Sequence, residues 1–222
     1  KKAAVIGAGV MGAGIAAHIA NAGIPVVLLD IVLMNMANRN AIAEGAIKKM
    51  LKTEPAPFMS KRAAKLVTPG NIEDHMDWLA DCDWIVEAVI ERLDIKQDLY
   101  AKIGKVKKPG AVLSSNTSTI PLKDLTDAMD DALVPDFMIT HFFNPPRYMR
   151  LLEIVASDKT TEEAVDAIHA FCDVRLGKGV IHAKDTPGFV ANRIGTYWFQ
   201  LGLTAALDLD LSVDEADAIG SR

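Results

Sequence analysis

A histidine and a glutamate twelve positions apart are the residues of this chain best suited to moving a proton at neutral pH. His141 follows the apolar run Phe137–Thr140 and so stands at the carboxyl end of a predicted strand. Glu153 lies inside a second apolar run, LLEIV, where a carboxylate is costly unless it is paired. Two strands joined by the 144–150 connection would bring them side by side. The carboxylate would then fix the imidazole tautomer and stabilise its protonated form. A base needs both to take a hydroxyl proton while a hydride leaves the same carbon. The spacing equally allows a structural histidine and a glutamate satisfied elsewhere. Ser118, in the hydroxyl-rich stretch SSNTST, can reach a substrate oxygen or a cofactor amide, or it can simply shape a turn. His18, His75, His169 and His182 read as structural, and Cys82 and Cys172 as buried free thiols. No G-x-S-x-G, P-loop lysine, CxxC or HExxH spacing is present, which argues against a serine hydrolase, a nucleoside triphosphatase and a zinc enzyme.

A hydride needs an acceptor, and the first thirty residues supply its seat. Ala3 to Ile6 read as a buried strand, followed by Gly7, Gly9 and Gly12 in G-x-G-x-x-G spacing, an Ala-rich helix, a turn at 21–23, and a second strand ending in Asp30. Gly7 permits the tight turn, Gly9 lets the backbone approach a pyrophosphate, and Gly12 lets helix and strand pack closely. The helix N-terminus faces the phosphates. Asp30 can accept from the adenosine ribose and would repel a 2′-phosphate, and Ile31 and Val32 offer no cation, so NAD is expected rather than NADP.

These residues require a sheet to carry them. Apolar runs at 84–89, 111–115 and 137–140 alternate with helical patterns, predicting an α/β, doubly wound Rossmann-type sheet over residues 1–185. Ligands bind beyond the carboxyl ends of such strands. The stretch 52–78 reads as an excursion, with a turn at Thr68–Asn71 and a basic cluster at Lys61, Arg62 and Lys65. Residues 186–222 read as the beginning of an all-helical C-terminal domain. The net charge of −5 gives no general attraction to nucleic acid or acidic membranes. No apolar run is long enough for a membrane helix. The opening residues read as core strand rather than as a secretory signal, and the two cysteines suit a reducing, cytoplasmic setting.

The order GAGVMGAGIA, IVEAVIERLDIK, SSNTSTIP, HFFNPPRYMRLLEIV and KDTPGFVANRIG resembles the L-3-hydroxyacyl-CoA dehydrogenases of fatty-acid β-oxidation. The Pro-Pro-Arg-Tyr stretch looks closer to the long, multifunctional bacterial versions. The resemblance implies NAD-dependent oxidation of an L-3-hydroxyacyl-CoA to the 3-oxoacyl-CoA. It implies that His141 is the general base and Glu153 its partner. Ser118 and Asn192 would contact the substrate oxygen. Met11, Asp30, Val89, Ile90, Glu91, Lys96, Ser118 and Asn144 would border the cofactor. Lys61, Arg62 and Lys65 stand where such enzymes receive CoA, without a matching motif. The family's further helical domain, which closes the site and makes a homodimer, is only begun here, so the chain reads as part of a longer protein. The same-class rival is a related hydroxy-acid or 3-hydroxybutyryl-CoA dehydrogenase. The rival from another class is a non-catalytic NAD-binding fragment.

Overall fold

Short runs such as AAVI, VVLL and WIVE are buried along their whole length, because helices cover the sheet on both faces. The computed structural model of the chain describes residues 1–34 and 36–221. Among them, one sheet contains β1 (Ala3–Ile6), β2 (Val26–Asp30), β3 (Val67–Asn71), β4 (Trp84–Glu87), β5 (Val112–Ser115), β6 (Phe137–Phe142), β7 (Leu151–Val155) and β8 (Gly179–Ala183). The spatial order is β3-β2-β1-β4-β5-β6-β7-β8. All neighbours are parallel except β6 and β7, which are antiparallel. The connection from β1 leads outward to β2, whereas β4 lies on the other side of β1, so the strand order reverses beside the glycine turn. A doubly wound sheet leaves its ligand crevice at such a point.

The helices are α1 (Val10–Asn21), α2 (Ala41–Met50), α3 (Lys61–Ala64), α4 (Leu93–Gly104), α5 (Leu122–Thr126), α6 (Glu162–Ala170), α7 (Ala191–Asp208) and α8 (Val213–Gly220). One core layer joins Ile15 and Ile19 of α1 and Ile168 of α6 to Val5, Leu28 and Ile154. The opposite layer joins Leu99 and Ile103 of α4 and Leu122 of α5 to Ile6, Ile85 and Ile139. By contrast, α7 buries none of its residues, and Tyr197, Trp198 and Leu207 stand exposed.

One local expectation is corrected. Thr68–Asn71 is not a turn but most of β3, the edge strand, with Leu28 opposite Pro69. An edge strand pairs on one side only, so it tolerates a proline without an N–H to give.

Candidate active site

His141 and Glu153 face each other directly across the antiparallel β6–β7 pair. Cross-strand partners put their side chains on the same face. The His141 Nδ1 to Glu153 Oε2 distance is 2.6 Å, with the glutamate fully buried. The other carboxylate oxygen, Oε1, accepts from the backbone N–H groups of Val190 (3.0 Å) and Ala191 (2.8 Å), where α7 begins. Two amide donors at a helix N-terminus complement the charge of a carboxylate. With Oε2 as acceptor, the His141 Nδ1–H donates to it, and the imidazole lone pair is left on Nε2. That atom makes no hydrogen bond among the described residues. The rings of Phe143 and Phe189 lie 4.5 and 5.7 Å from the imidazole, between centroids, and confine its orientation.

At the switch point, Gly7 has φ of +102°, and a Cβ there would sit 2.4 Å from the Ala88 carbonyl oxygen. A Cβ on Gly12 would fall 1.8 Å from the Gly7 oxygen, so no side chain fits. Gly9 differs: a Cβ would project into open space. Gly9 caps α1, which has no side-chain cap and no acid in its first turn, so its leading N–H groups are offered outward. Met11 sits half-buried in that turn. Asp30 ties the loop down, Oδ2 accepting from Ala8 N–H and Oδ1 from Ile31 N–H, and each oxygen keeps a lone pair for a further donor. A free cradle of amide donors with a carboxylate at the neighbouring strand end fits a dinucleotide.

Beyond β4, a second buried carboxylate organises the loops. Glu87 receives Lys96 Nζ (2.6 Å) and Val89 N–H (2.8 Å) on Oε1, and Tyr100 Oη (2.6 Å) and Ser115 Oγ (2.7 Å) on Oε2. Burial and the Glu87 charge hold the Tyr100 hydroxyl far above its usual range. Lys96 also pairs with Glu91, at 3.2 Å. Glu91 in turn accepts from the Thr117 hydroxyl (2.5 Å) and Ser118 N–H (2.9 Å). Burial raises the Glu91 carboxyl, but the Thr117 hydroxyl and the Lys96 charge outweigh it and hold the group below its ordinary value. Ser118 Oγ makes no bond among the described residues. Val89 and Ile90 flank this network, with Ile90 exposed.

The same loop is tied to the base: Asn116 Oδ1 accepts from Phe142 N–H at 2.9 Å, one residue beyond His141. Asn192 follows the amides that hold Glu153 and is exposed. No hydrogen bond joins Ser118 or Asn192 to the dyad among the described residues. Asn144 lines a cavity of about 450 Å³ that runs from Gly9 past Gly14 and Met50 to Pro146, with Lys49 and Arg147 as its cations.

The structure pairs His141 with Glu153 and ties Glu91 to the Ser118 loop, while two groups singled out from sequence lie elsewhere. Lys96 is not laid along the crevice: it is 1% exposed and spans Glu87 and Glu91 beneath it. Lys61, Arg62 and Lys65 lie on or beside α3, outside the cavity lining. Glu87 carries the signal that marks Glu153, one acid in an apolar strand, and the sequence reading passes over it. The buried Lys178 has no such signal.

Comparison with known proteins agrees with this geometry. Residues 2–186 match the family model described as 3-hydroxyacyl-CoA dehydrogenase, NAD binding domain. A protein of Deinococcus radiodurans named "Probable 3-hydroxyacyl-CoA dehydrogenase" is 52% identical over 197 residues, 89% of this chain and 57% of its own length. A Rickettsia felis protein named as a fatty acid oxidation complex trifunctional enzyme is 41% identical over 99% of this chain but only 30% of its own length. The crystal structure of the 3-hydroxybutyryl-CoA dehydrogenase of Escherichia coli superposes with a TM-score of 0.80 and 29% identity, over 96% of this chain and 44% of that one. The chain therefore spans little more than half of the first relative and less than a third of the second. With its glycine cradle, strand order and matched residues, this chain belongs to the 3-hydroxyacyl-CoA dehydrogenase family, of which it carries the NAD-binding domain.

Proposed function

We propose that the protein oxidises an L-3-hydroxyacyl-CoA to the 3-oxoacyl-CoA with NAD, as a step of fatty-acid β-oxidation. The observation that carries this reading is the His141–Glu153 pair, with Nε2 left open beyond the carboxyl ends of the strands. Nε2 of His141 takes the proton of the 3-hydroxyl. Glu153 keeps the Nδ1 proton in place and stabilises the imidazolium that forms. The α7 amides hold the other Glu153 oxygen in place. Bound NAD supplies the hydride acceptor.

Gly7, Gly9, Met11 and Gly12 hold its pyrophosphate side, Asp30 the adenosine ribose, and Val89, Ile90, Glu91, Ser118 and Asn144 the nicotinamide side. Lys96 acts through Glu91. Ser118 and Asn192 meet the substrate oxygen. Residues 186–222 begin a second, helical unit that completes the site within a longer, multifunctional or dimeric protein. A reducing cytoplasmic setting suits the two thiols, which burial holds protonated, at about 11 for Cys82 and about 12 for Cys172.

The test is NADH oxidation with acetoacetyl-CoA, followed by absorbance. His141→Ala should lower kcat by about 10³-fold, the scale of a lost general base. Equal rates would sink the assignment.

A further inference from the structure

Lys178 is a buried cation that the proposed chemistry does not use. It is 2% exposed, and no carboxylate pairs with it among the described residues. Its ammonium donates instead to two backbone carbonyls, those of Pro146 and Met149 (2.8 Å for the second). It also lies 5.5 Å from the centre of the Phe142 ring. Burying an ammonium without a counter-ion is costly, and desolvation lowers this one to about 8. A methionine would fill the space without that penalty. The cation is explained by the carbonyls it holds.

Those carbonyls belong to the connection between the two dyad strands. Pro145 and Pro146 have no N–H to give. The turn's own backbone bonds run from Tyr148 and Met149 N–H to the Pro145 carbonyl, both at 3.0 Å. The fold adds three fasteners. Lys178 grips the turn from the threshold of β8, where Gly179 N–H also meets the Arg150 carbonyl at 2.8 Å. The Arg147 guanidinium meets the carbonyls of Ala56 and Phe58 (3.3 Å for the second). Gly14 of α1 leaves room for Pro146, whose Cδ would lie 2.9 Å from a Cβ there. Asn144, Pro145, Pro146 and Arg147 line the cavity that starts at the glycine cradle. Facing Lys178 are His18 on α1, whose imidazole is neutral with a value of about 4, and the neutral thiol of Cys172. Neither of them neutralises it.

We propose that Lys178 is a positioning residue for the acyl-CoA: by holding the Pro146 and Met149 carbonyls, it sets the wall that the connection between the dyad strands gives to this cavity, whose cations Lys49 and Arg147 suit an anionic CoA. This rests on the acyl-CoA reading of the site. The test uses Lys178→Met and Lys178→Arg in the whole chain, with hydrogen exchange of the 145–150 segment and equilibrium binding of CoA and of NADH. In Lys178→Met the amides of Tyr148 and Met149 should exchange about tenfold faster and CoA should bind about tenfold more weakly, as for the loss of charge-assisted hydrogen bonds. NADH binding should weaken far less than CoA binding, and Lys178→Arg should recover most of both losses. Unchanged exchange with unchanged CoA affinity would overturn the proposal. So would an equal loss for CoA and NADH, which marks a general packing defect. If Lys178→Met cannot be purified, Lys178→Gln carries the same comparison. Failure of the unaltered chain to bind CoA, with exchange still dependent on Lys178, would overturn the acyl-CoA reading itself and the wall's role with it.

Discussion

Glu87 and Glu153 are both fully buried carboxylates in apolar strands, and they are solved in opposite ways. Glu87 is closed. A lysine, a tyrosine, a serine and an amide N–H surround it, and its one cationic partner is buried with it. Such a site has nothing left to offer a ligand. It fixes the loops that follow β4 and β5. Glu153 is open at one end. Two α7 amides hold one oxygen, and a histidine occupies the other with its far nitrogen unengaged. The closed carboxylate stores rigidity, and the open one passes its charge to an atom that can react. A third buried group, His18, shows what happens without either arrangement: neither ring nitrogen has a hydrogen-bond partner among the described residues, and burial depresses its value to about 4.

The contrast can be broken at each point. The largest expected effect is on the open pair. Glu153→Gln keeps an acceptor for the α7 amides but removes the charge that fixes the histidine tautomer. The rate of NADH oxidation should fall by about 10³-fold, or ~4 kcal/mol in the barrier, with a small change in urea midpoint. A rate within tenfold of the unaltered protein would make the pair structural.

The closed site should respond in the other currency. Lys96→Met leaves Glu87 and Glu91 without their shared cation, and breaking one partner out of a buried pair costs about 4 kcal/mol of stability. Urea unfolding should show that loss. A neutral result would mean that the tyrosine and serine donors suffice for Glu87.

The smallest effect belongs to His18 and depends on pH. Its folded value lies below the unfolded 6.5, so between about 6.5 and 4 the unfolded chain binds the extra proton. Stability is then lost as pH falls through that window, by about 2 kcal/mol between pH 7 and pH 5. His18→Leu should remove this part of the slope. Parallel urea midpoints for the two proteins at both pH values would show that His18 does not titrate as stated.

The cradle was legible from sequence because its determinants are local. The positions of Gly7, Gly9, Gly12 and Asp30 are set by one turn and two strand ends, and each steric demand acts between near neighbours in chain or sheet. His141 and Glu153 were legible as candidates, since polarity in an apolar run asks for a partner. Their pairing was not, because a slip of one residue in β7 would turn Glu153 to the other face. The edge strand β3 is hidden in the sequence for a related reason: Pro69 and Gly70 look like a turn until β3 is known to pair with β2 along one side only.

By itself, then, the sequence determined the alternating sheet, the dinucleotide seat and the residue types available for proton transfer, all of which follow from local spacing. Tertiary structure alone decided which carboxylate is closed and which is open. It placed Lys96 under the crevice rather than along it. It also gave Lys178 two carbonyls to hold, because unpaired backbone groups arise only where the finished fold leaves them.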